Sequence, residues 1–152
     1  MKRVLSGFQA VGILTLLLLC AQIAGAQSES SKIKECSNAT LKGSFGYTST
    51  GALTTSYVPA PLAGPFAEVG RQTFDGKGAT DATATLSANG NIVAVTIEGT
   101  YTVDPDCTGT MTLDVSPLGA TVHLDFLISA DGSTLRAIVV DTGVVESRVY
   151  GK

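Results

Sequence analysis

The sequence predicts an all-β fold, an eight-stranded antiparallel meander that closes into a small barrel. From Leu41 onward, turn-forming residues recur at short intervals and separate segments of strand length. Several segments alternate apolar and polar residues, as a strand with one buried face does. The segments are also rich in Val, Ile and Thr, which favour strands. Closure removes the two exposed edges of a meander and therefore favours a barrel, with a two-sheet sandwich of the same strands as the alternative.

The eight predicted strands follow from these turn signals. Clusters of Gly, Asn, Asp and Pro, such as "DGKG" (75–78) and "NGN" (89–91), favour chain reversal because they accept positive φ or bond their own backbone. The predicted strands cover residues 41–50, 66–74, 79–88, 91–103, 108–115, 120–129, 134–141 and 144–150. The short connections make sequential strands antiparallel neighbours.

Alternation is clearest in the third, fourth and sixth segments. Their predicted inner faces carry Ala82, Ala84, Leu86 and Ala88, then Val93, Val95, Ile97, Gly99, Tyr101 and Val103, then Val122, Leu124, Phe126 and Ile128. In the sixth segment, the outer face carries His123 and Asp125, with Leu127 as an apolar exception. These patterns predict half-buried strands.

The connection between the first two strands differs from the others. Residues 51–65 form a long segment that carries three prolines. Loops of this length without their own secondary structure are usually lids, binding loops or disordered segments. We expect this loop to be available to cover the mouth of the barrel.

The amino-terminal residues predict a signal peptide. Two basic residues, Lys2 and Arg3, precede the apolar run 11–20, and small residues fill 24–26. This is the pattern of a cleaved export signal, and the run is shorter than the roughly 20 residues that span a bilayer. We therefore expect export to the periplasm or beyond, without a membrane anchor.

The predicted domains are a signal peptide (1–26), a polar arm (27–40) and one barrel domain (41–152). Without the signal, eight basic residues face thirteen acidic ones. This acidic balance argues against nucleic acid as a partner, because phosphate binding needs a basic field.

Two cysteines, Cys36 and Cys107, remain after the signal is removed. In an oxidising compartment an even pair predicts a disulfide. This bond would close a loop of about 70 residues and pin the amino-terminal arm across one end of the barrel. We expect neither a metal site nor thiol catalysis from the pair, because further ligands at suitable spacing and a Cys-x-x-Cys motif are both absent from the sequence.

Four stretches carry a resemblance to known proteins: "CSNATLKGSFGYTSTG" (36–51), "GRQTFDGKG" (70–78), the segment 87–113 and the final "ADGSTLRAIVVDTGVVESRVYGK". Together they resemble a group of small exported bacterial β-barrel proteins of unassigned function, which implies a bacterial exported protein and no particular activity. More distantly, "KGSF" (42–45) is similar to the Gly-x-Trp opening of lipocalins, with Phe in place of Trp. Allene oxide cyclase and dirigent barrels are similar in size and strand number, but none of their catalytic motifs matches residue by residue.

Three acidic or histidine-containing patterns are candidates for chemistry. His123 and Asp125 share a strand face, as a general base and its orienting group would. "DPDCTG" (104–109) has part of a calcium-loop pattern, but Val115 stands where that pattern requires a bidentate Glu. Glu98 and Asp125 would form a glycosidase-type pair only if their strands faced each other across a cleft. For His123 an outward side chain and for the acidic turn a simple chain reversal are favoured, whereas the distance between Glu98 and Asp125 decides the third case. We expect neither a metal nor a cofactor.

The favoured function is a binding module that holds a small apolar ligand or a partner. Eight strands leave an interior that is either filled by side chains or able to hold one small ligand. The predicted ligand contacts are Phe45, Tyr47, Tyr101 and Gly99. A structural or interaction protein with a filled barrel, including a homo-oligomer, is the alternative, and a cyclase-type enzyme ranks last.

Overall fold

The structure, a computed structural model, describes residues 35–129 and 131–152. The predicted signal peptide, 1–26, and residues 27–34 of the predicted arm lie outside the described residues. Eight antiparallel strands form a closed barrel in sequential order, and the first strand pairs with both the second and the eighth. The predicted fold class is confirmed, and closure excludes the sandwich.

The strand bounds are close to those predicted. The strands are β1 (Lys42–Leu53), β2 (Gly64–Asp75), β3 (Ala79–Ala88), β4 (Asn91–Val103), β5 (Thr108–Ser116), β6 (Ala120–Ile128), β7 (Thr134–Val139) and β8 (Val144–Gly151). Two short 3₁₀ helices, Asn38–Thr40 and Ala60–Leu62, precede β1 and β2. The main difference is that β1 and β2 are longer than predicted, because Gly51 to Leu53 pair with Phe66 to Gly64. The loop between them is therefore 54–63 rather than 51–65.

Alternate residues of each strand point inward and form one core. Buried apolar side chains from all eight strands share this interior. Most of the residues predicted from the alternation of β3, β4 and β6 are among them, whereas Ala84, Val93 and Gly99 are only partly buried. An aromatic chain crosses it: Phe74 packs edge-on against Phe45 and Tyr101, with ring centroids 5.5 and 5.2 Å apart. Tyr150 lies 6.3 Å from Phe74 and 5.1 Å from Tyr47. Such pairs add to the hydrophobic stabilisation of the core.

The amino-terminal segment closes one end of the barrel. Cys36 is disulfide-bonded to Cys107, with the Cα atoms 5.0 Å apart, as predicted. The Leu41 side chain is completely buried. The Tyr101 hydroxyl donates to the Leu41 carbonyl at 2.9 Å, and the Cys36 amide donates to the Pro105 carbonyl at 3.1 Å. The described part of the arm is therefore joined to the barrel by covalent, apolar and polar contacts.

The loop 54–63, here called the covering loop, lies over the opposite end. Val58 is buried in the core, and Tyr57 and Leu62 pack against it. The loop is bonded to distant parts of the rim: the Tyr57 hydroxyl donates to the Thr121 carbonyl at 2.8 Å, and Asn91 Nδ2 donates to the Pro61 carbonyl at 2.8 Å. Because Thr121 lies on β6, across the barrel from β1, the loop reaches over the mouth.

Candidate functional site

A band of polar side chains lies inside the barrel on three neighbouring strands. Ser49 of β1 is paired in register with Glu68 of β2 and with Arg148 of β8. Glu146 lies two residues from Arg148 and therefore shares its face. All four are buried, with 2% of Ser49 and Arg148, 8% of Glu68 and 7% of Glu146 exposed. We call Ser49, Glu68, Glu146 and Arg148, together with Tyr47 and Tyr150, the interior polar band.

Direct contacts join the members of the band in pairs. Arg148 Nε donates to Glu146 Oε1, and the Tyr47 hydroxyl donates to Glu68 Oε1. The Arg148 guanidinium also lies over the Tyr47 ring, 5.4 Å from its centroid, as a cation–π contact requires. The two polar pairs are therefore linked through Arg148 and Tyr47.

Burial and neighbouring charges shift the protonation of this band. Burial raises the pKa of Glu68, although Arg148 and the Tyr47 hydroxyl act in the opposite direction. Burial alone would lower the pKa of Arg148, but Tyr150, Glu146 and Glu68 together raise it above its usual value. The guanidinium therefore stays charged, while Glu68 holds its proton to a higher pH than an exposed glutamate.

Several buried polar atoms of the interior have no hydrogen-bond partner of good geometry among the described residues. These atoms are Arg148 Nη1, Ser49 Oγ, Tyr150 OH and Gln72 Oε1. A buried polar group without a partner costs about 1–3 kcal/mol, and more if it is charged. Three of the four atoms belong to the polar band, where they offer hydrogen bonds that the protein itself does not use.

The covering loop lies over this band. Tyr57 is half-buried at the mouth, where burial, followed by the charges of Asp141 and Glu146, raises the pKa of its phenol to about 12. Leu53, Val144 and Phe66 line the same end of the barrel with apolar surface. The site thus combines apolar walls, a buried charged group and a loop at its entrance.

The predicted ligand contacts are distributed along the interior. Tyr47 belongs to the polar band, whereas Phe45 and Tyr101 are buried nearer the disulfide. Both rings pack against Phe74, which also packs against Tyr150 of the band. The Tyr101 hydroxyl is occupied, since it donates to the Leu41 carbonyl and accepts from the Gly76 amide at 2.9 Å. Gly99 allows close strand packing, because a Cβ there would overlap the Thr112 carbonyl oxygen. Tyr47 is thus the predicted contact that adjoins the unused polar atoms.

The other candidate residues lie outside the interior. His123 faces outward, and its Nδ1 lies 2.8 Å from Asp141 Oδ1, so its partner is Asp141 rather than Asp125. Glu98 and Asp125 are exposed on β4 and β6 with β5 between them, and they do not face each other across a cleft.

The acidic turn 104–109 is a chain reversal between β4 and β5. Asp106 accepts hydrogen bonds from the Thr108 amide at 3.0 Å and from the Thr108 hydroxyl. These bonds lower the pKa of the Asp106 carboxyl, the hydroxyl contributing most. Among residues 35–129 and 131–152, the structure has no cluster of three or more His, Cys, Asp or Glu residues arranged to hold a metal ion.

Sequence reasoning missed the charged members of the band. On β2, Glu68 and Gln72 are an even number of residues from both Phe66 and Phe74. They therefore lie on the same face of the strand as these two buried aromatic residues. Likewise, Glu146 and Arg148 lie between Val144 and Tyr150. The period of two, anchored on the large residues at both ends of each strand, is the signal that could have found them.

Comparison with known proteins gave no match: no family model, curated protein or solved structure is significantly similar to this chain. The closed eight-stranded barrel is compatible with a lipocalin-like architecture. Across the described part of the chain, no helix is both long and apolar enough to cross a membrane.

Proposed function

We propose that the protein is an exported binding module that holds a small, largely apolar ligand inside the barrel, beneath the covering loop. The observation that carries this proposal is the interior polar band, in which a buried guanidinium lies with two buried carboxyl groups, and in which Arg148 Nη1, Ser49 Oγ and Tyr150 OH have no hydrogen-bond partner of good geometry within the described part of the chain. Binding sites for small molecules have this composition: mostly apolar walls and a few placed polar groups.

The cost of the band supports a functional role. Moving a charged group from water into a protein interior costs several kcal/mol, and replacing a buried ion pair with apolar residues is often neutral or stabilising. A barrel that served only as a scaffold would therefore lose nothing with an apolar interior at Glu146 and Arg148. Buried charged groups with shifted pKa values are typical of functional sites.

The covering loop supplies a route of entry. Its side-chain hydrogen bonds to the rim lie near the surface and none belongs to a strand pairing, so the loop can open without disturbing the paired strands. Opening would withdraw Val58 from the core and expose the apolar end of the barrel above Glu146. A ligand bound there would take the place of Val58 and be shielded from water.

Native mass spectrometry of the protein purified gently from its host's exported fraction tests this function. The expected result is a native mass that exceeds the chain mass by that of a small molecule, with the excess lost on denaturation. The denatured mass also tests cleavage after residue 26. A native mass equal to the disulfide-bonded chain, together with no uptake of small apolar molecules by the purified protein, would contradict the proposed function.

A second candidate, an interaction protein, is favoured by the outer surface. Leu127, Ile138 and Val149 are 56%, 56% and 52% exposed and line a shallow groove of about 650 Å³ across β5 to β8. Exposed apolar patches of this kind mark protein interaction sites. A molar mass by light scattering that rises with protein concentration would support this function, and Ile138→Lys should then restore the monomer.

A further inference from the structure

We propose that the ligand presents a neutral carbonyl oxygen, as in an ester, a ketone or an amide, to Arg148 inside the barrel. This inference rests on the proposed function and deepens it, because it names the chemical class of the bound group. The evidence lies in the unused hydrogen-bonding atoms of the interior polar band and in its balance of charge.

The donor is the free side of the guanidinium. Arg148 Nε is occupied by Glu146, whereas Nη1 has no partner among the described residues, and only 2% of the side chain is exposed. Ser49 lies opposite Arg148 in the β1–β8 register, and Tyr150 shares its face two residues along β8. Neither hydroxyl has a hydrogen-bond partner of good geometry in residues 35–129 and 131–152. The Tyr150 hydroxyl nevertheless lies near the guanidinium, since burial raises the pKa of this phenol and Arg148 lowers it. An oxygen atom placed between these groups would accept from Nη1 and from one hydroxyl.

The charge balance selects a neutral group. Arg148 is the one buried cation of the band, and two carboxyl groups, Glu146 and Glu68, already act on it. A carboxylate ligand would bring a third acidic group to one guanidinium, whereas an ammonium ligand would bring a second cation to Nη1. Burial raises the pKa of Glu68, which favours its neutral form, and Arg148 is ion-paired with Glu146. A carbonyl oxygen uses the free donor without changing the net charge.

The apolar end of the barrel accommodates the rest of such a ligand. Leu53, Phe66 and Val144 surround the polar band at the mouth, and Val58 closes it. A hydrocarbon chain or ring attached to the carbonyl would replace contacts that Val58 now makes. The polar group would lie inside and the apolar part beneath the covering loop.

Four probes with the same hydrocarbon chain separate the alternatives: methyl octanoate, octanoate, octylamine and octane. Their affinities for the disulfide-bonded protein are measured by isothermal titration calorimetry at neutral pH. We expect methyl octanoate to bind at least about tenfold more tightly than octane, because a hydrogen bond from a charged donor gives that preference. It should also bind more tightly than octanoate and octylamine.

The double variant Ser49→Ala/Tyr150→Phe tests the position. It removes two hydroxyls that have no hydrogen-bond partner of good geometry among the described residues, so the free energy of unfolding should change little. Removal of Arg148 would leave Glu146 buried without a partner and is expected to prevent folding. The double variant should lose the preference for methyl octanoate over octane. Ser147→Ala, on the exposed face of β8 between Glu146 and Arg148, is the matched control and should keep it.

The outcomes distinguish the inference from the proposed function. The carbonyl assignment is overturned if octane, octanoate or octylamine binds as tightly as the ester, or if the double variant retains the preference. In either case the proposed function, binding of a small ligand in the barrel, is still supported. If none of the four probes binds and the host protein carries no small molecule, the proposed function itself is overturned. Preferential binding of the ester, lost in the double variant and kept in Ser147→Ala, supports the inference.

Discussion

Glu68 is the residue whose ionisation opposes folding. Its side chain is buried on β2, where it accepts from the Tyr47 hydroxyl and lies near Arg148 and Glu146. Burial raises its pKa above the ordinary value of 4.5, so the folded chain binds a proton that the unfolded chain releases. Stability therefore decreases as the pH rises from 4.5 towards the raised pKa of the folded state.

Glu68→Gln should remove this contribution, because a glutamine resembles the protonated glutamate and still accepts from Tyr47. We expect the free energy of unfolding of the variant, relative to that of the wild type, to increase as the pH rises above 4.5. Urea unfolding at a series of pH values measures the difference. Thr100→Ala, an exposed change on β4 that removes no titratable group, is the control and should show no such trend. A difference that is constant with pH would show that Glu68 is ionised at the same pH in both states.

At the same scale, the interior polar band marks the limit of sequence prediction. The usual rule places apolar residues inside and charged ones outside, and it is correct for β4 and β6. On β8 it fails, because Val145 and Val149 are 74% and 52% exposed whereas Glu146 and Arg148 are buried. Alternation gives the period of a strand but not which of two mixed faces is inside. The large residues Val144 and Tyr150 at the two ends of β8 favour one face, and the pairing of Arg148 with Ser49 across the closed barrel confirms it.

Among the elements, the covering loop departs most from its prediction. Its prolines indicated a long irregular segment, but β1 continues through Gly51. A glycine is needed there, because any Cβ at this position would overlap the Val145 carbonyl of β8. The close approach of two strands is a property of the assembled sheet and leaves no local signal beyond the glycine itself. The remaining loop is short and bonded to the rim.

Asn91→Ala should loosen the covering loop without weakening the barrel. The side chain donates to the Pro61 carbonyl at 2.8 Å, and the loss of one such bond costs about 0.5–1.5 kcal/mol. We expect the amides of Tyr57, Val58 and Leu62 to exchange hydrogen about two- to tenfold faster, with β-strand amides unchanged. Hydrogen exchange followed by NMR measures this, with Thr100→Ala on the outer face of β4 as control. Unchanged exchange in the loop would show that the bonds from Tyr57 to Thr121 and from Asn89 to Pro61, with the burial of Val58, are sufficient to hold it closed.

For the whole molecule, closure follows from how the ends of the chain meet. β8 completes the barrel by pairing with β1, where Tyr47 lies opposite Tyr150 and the two rings pack together. The order of the strands could be predicted from the short turns, and closure from the need to remove two edges. The arrangement of side chains inside the barrel could not be predicted, since it depends on the register between β1 and β8, which are distant in sequence.

The disulfide acts on the whole molecule by linking the start of the barrel to the turn between β4 and β5. Cys36 and Cys107 are 71 residues apart, and a cross-link of this span stabilises the folded state by about 4 kcal/mol in the chain-entropy model. The double variant Cys36→Ala/Cys107→Ala should therefore unfold at a lower urea concentration, while β1 and β8 remain paired below the transition. Urea unfolding followed by circular dichroism gives the difference, and the wild type treated with reductant should show the same loss. Equal stability of the variant and the oxidised wild type would mean that burial of Leu41 and the hydrogen bonds of Tyr101 are sufficient to hold the amino-terminal segment in place.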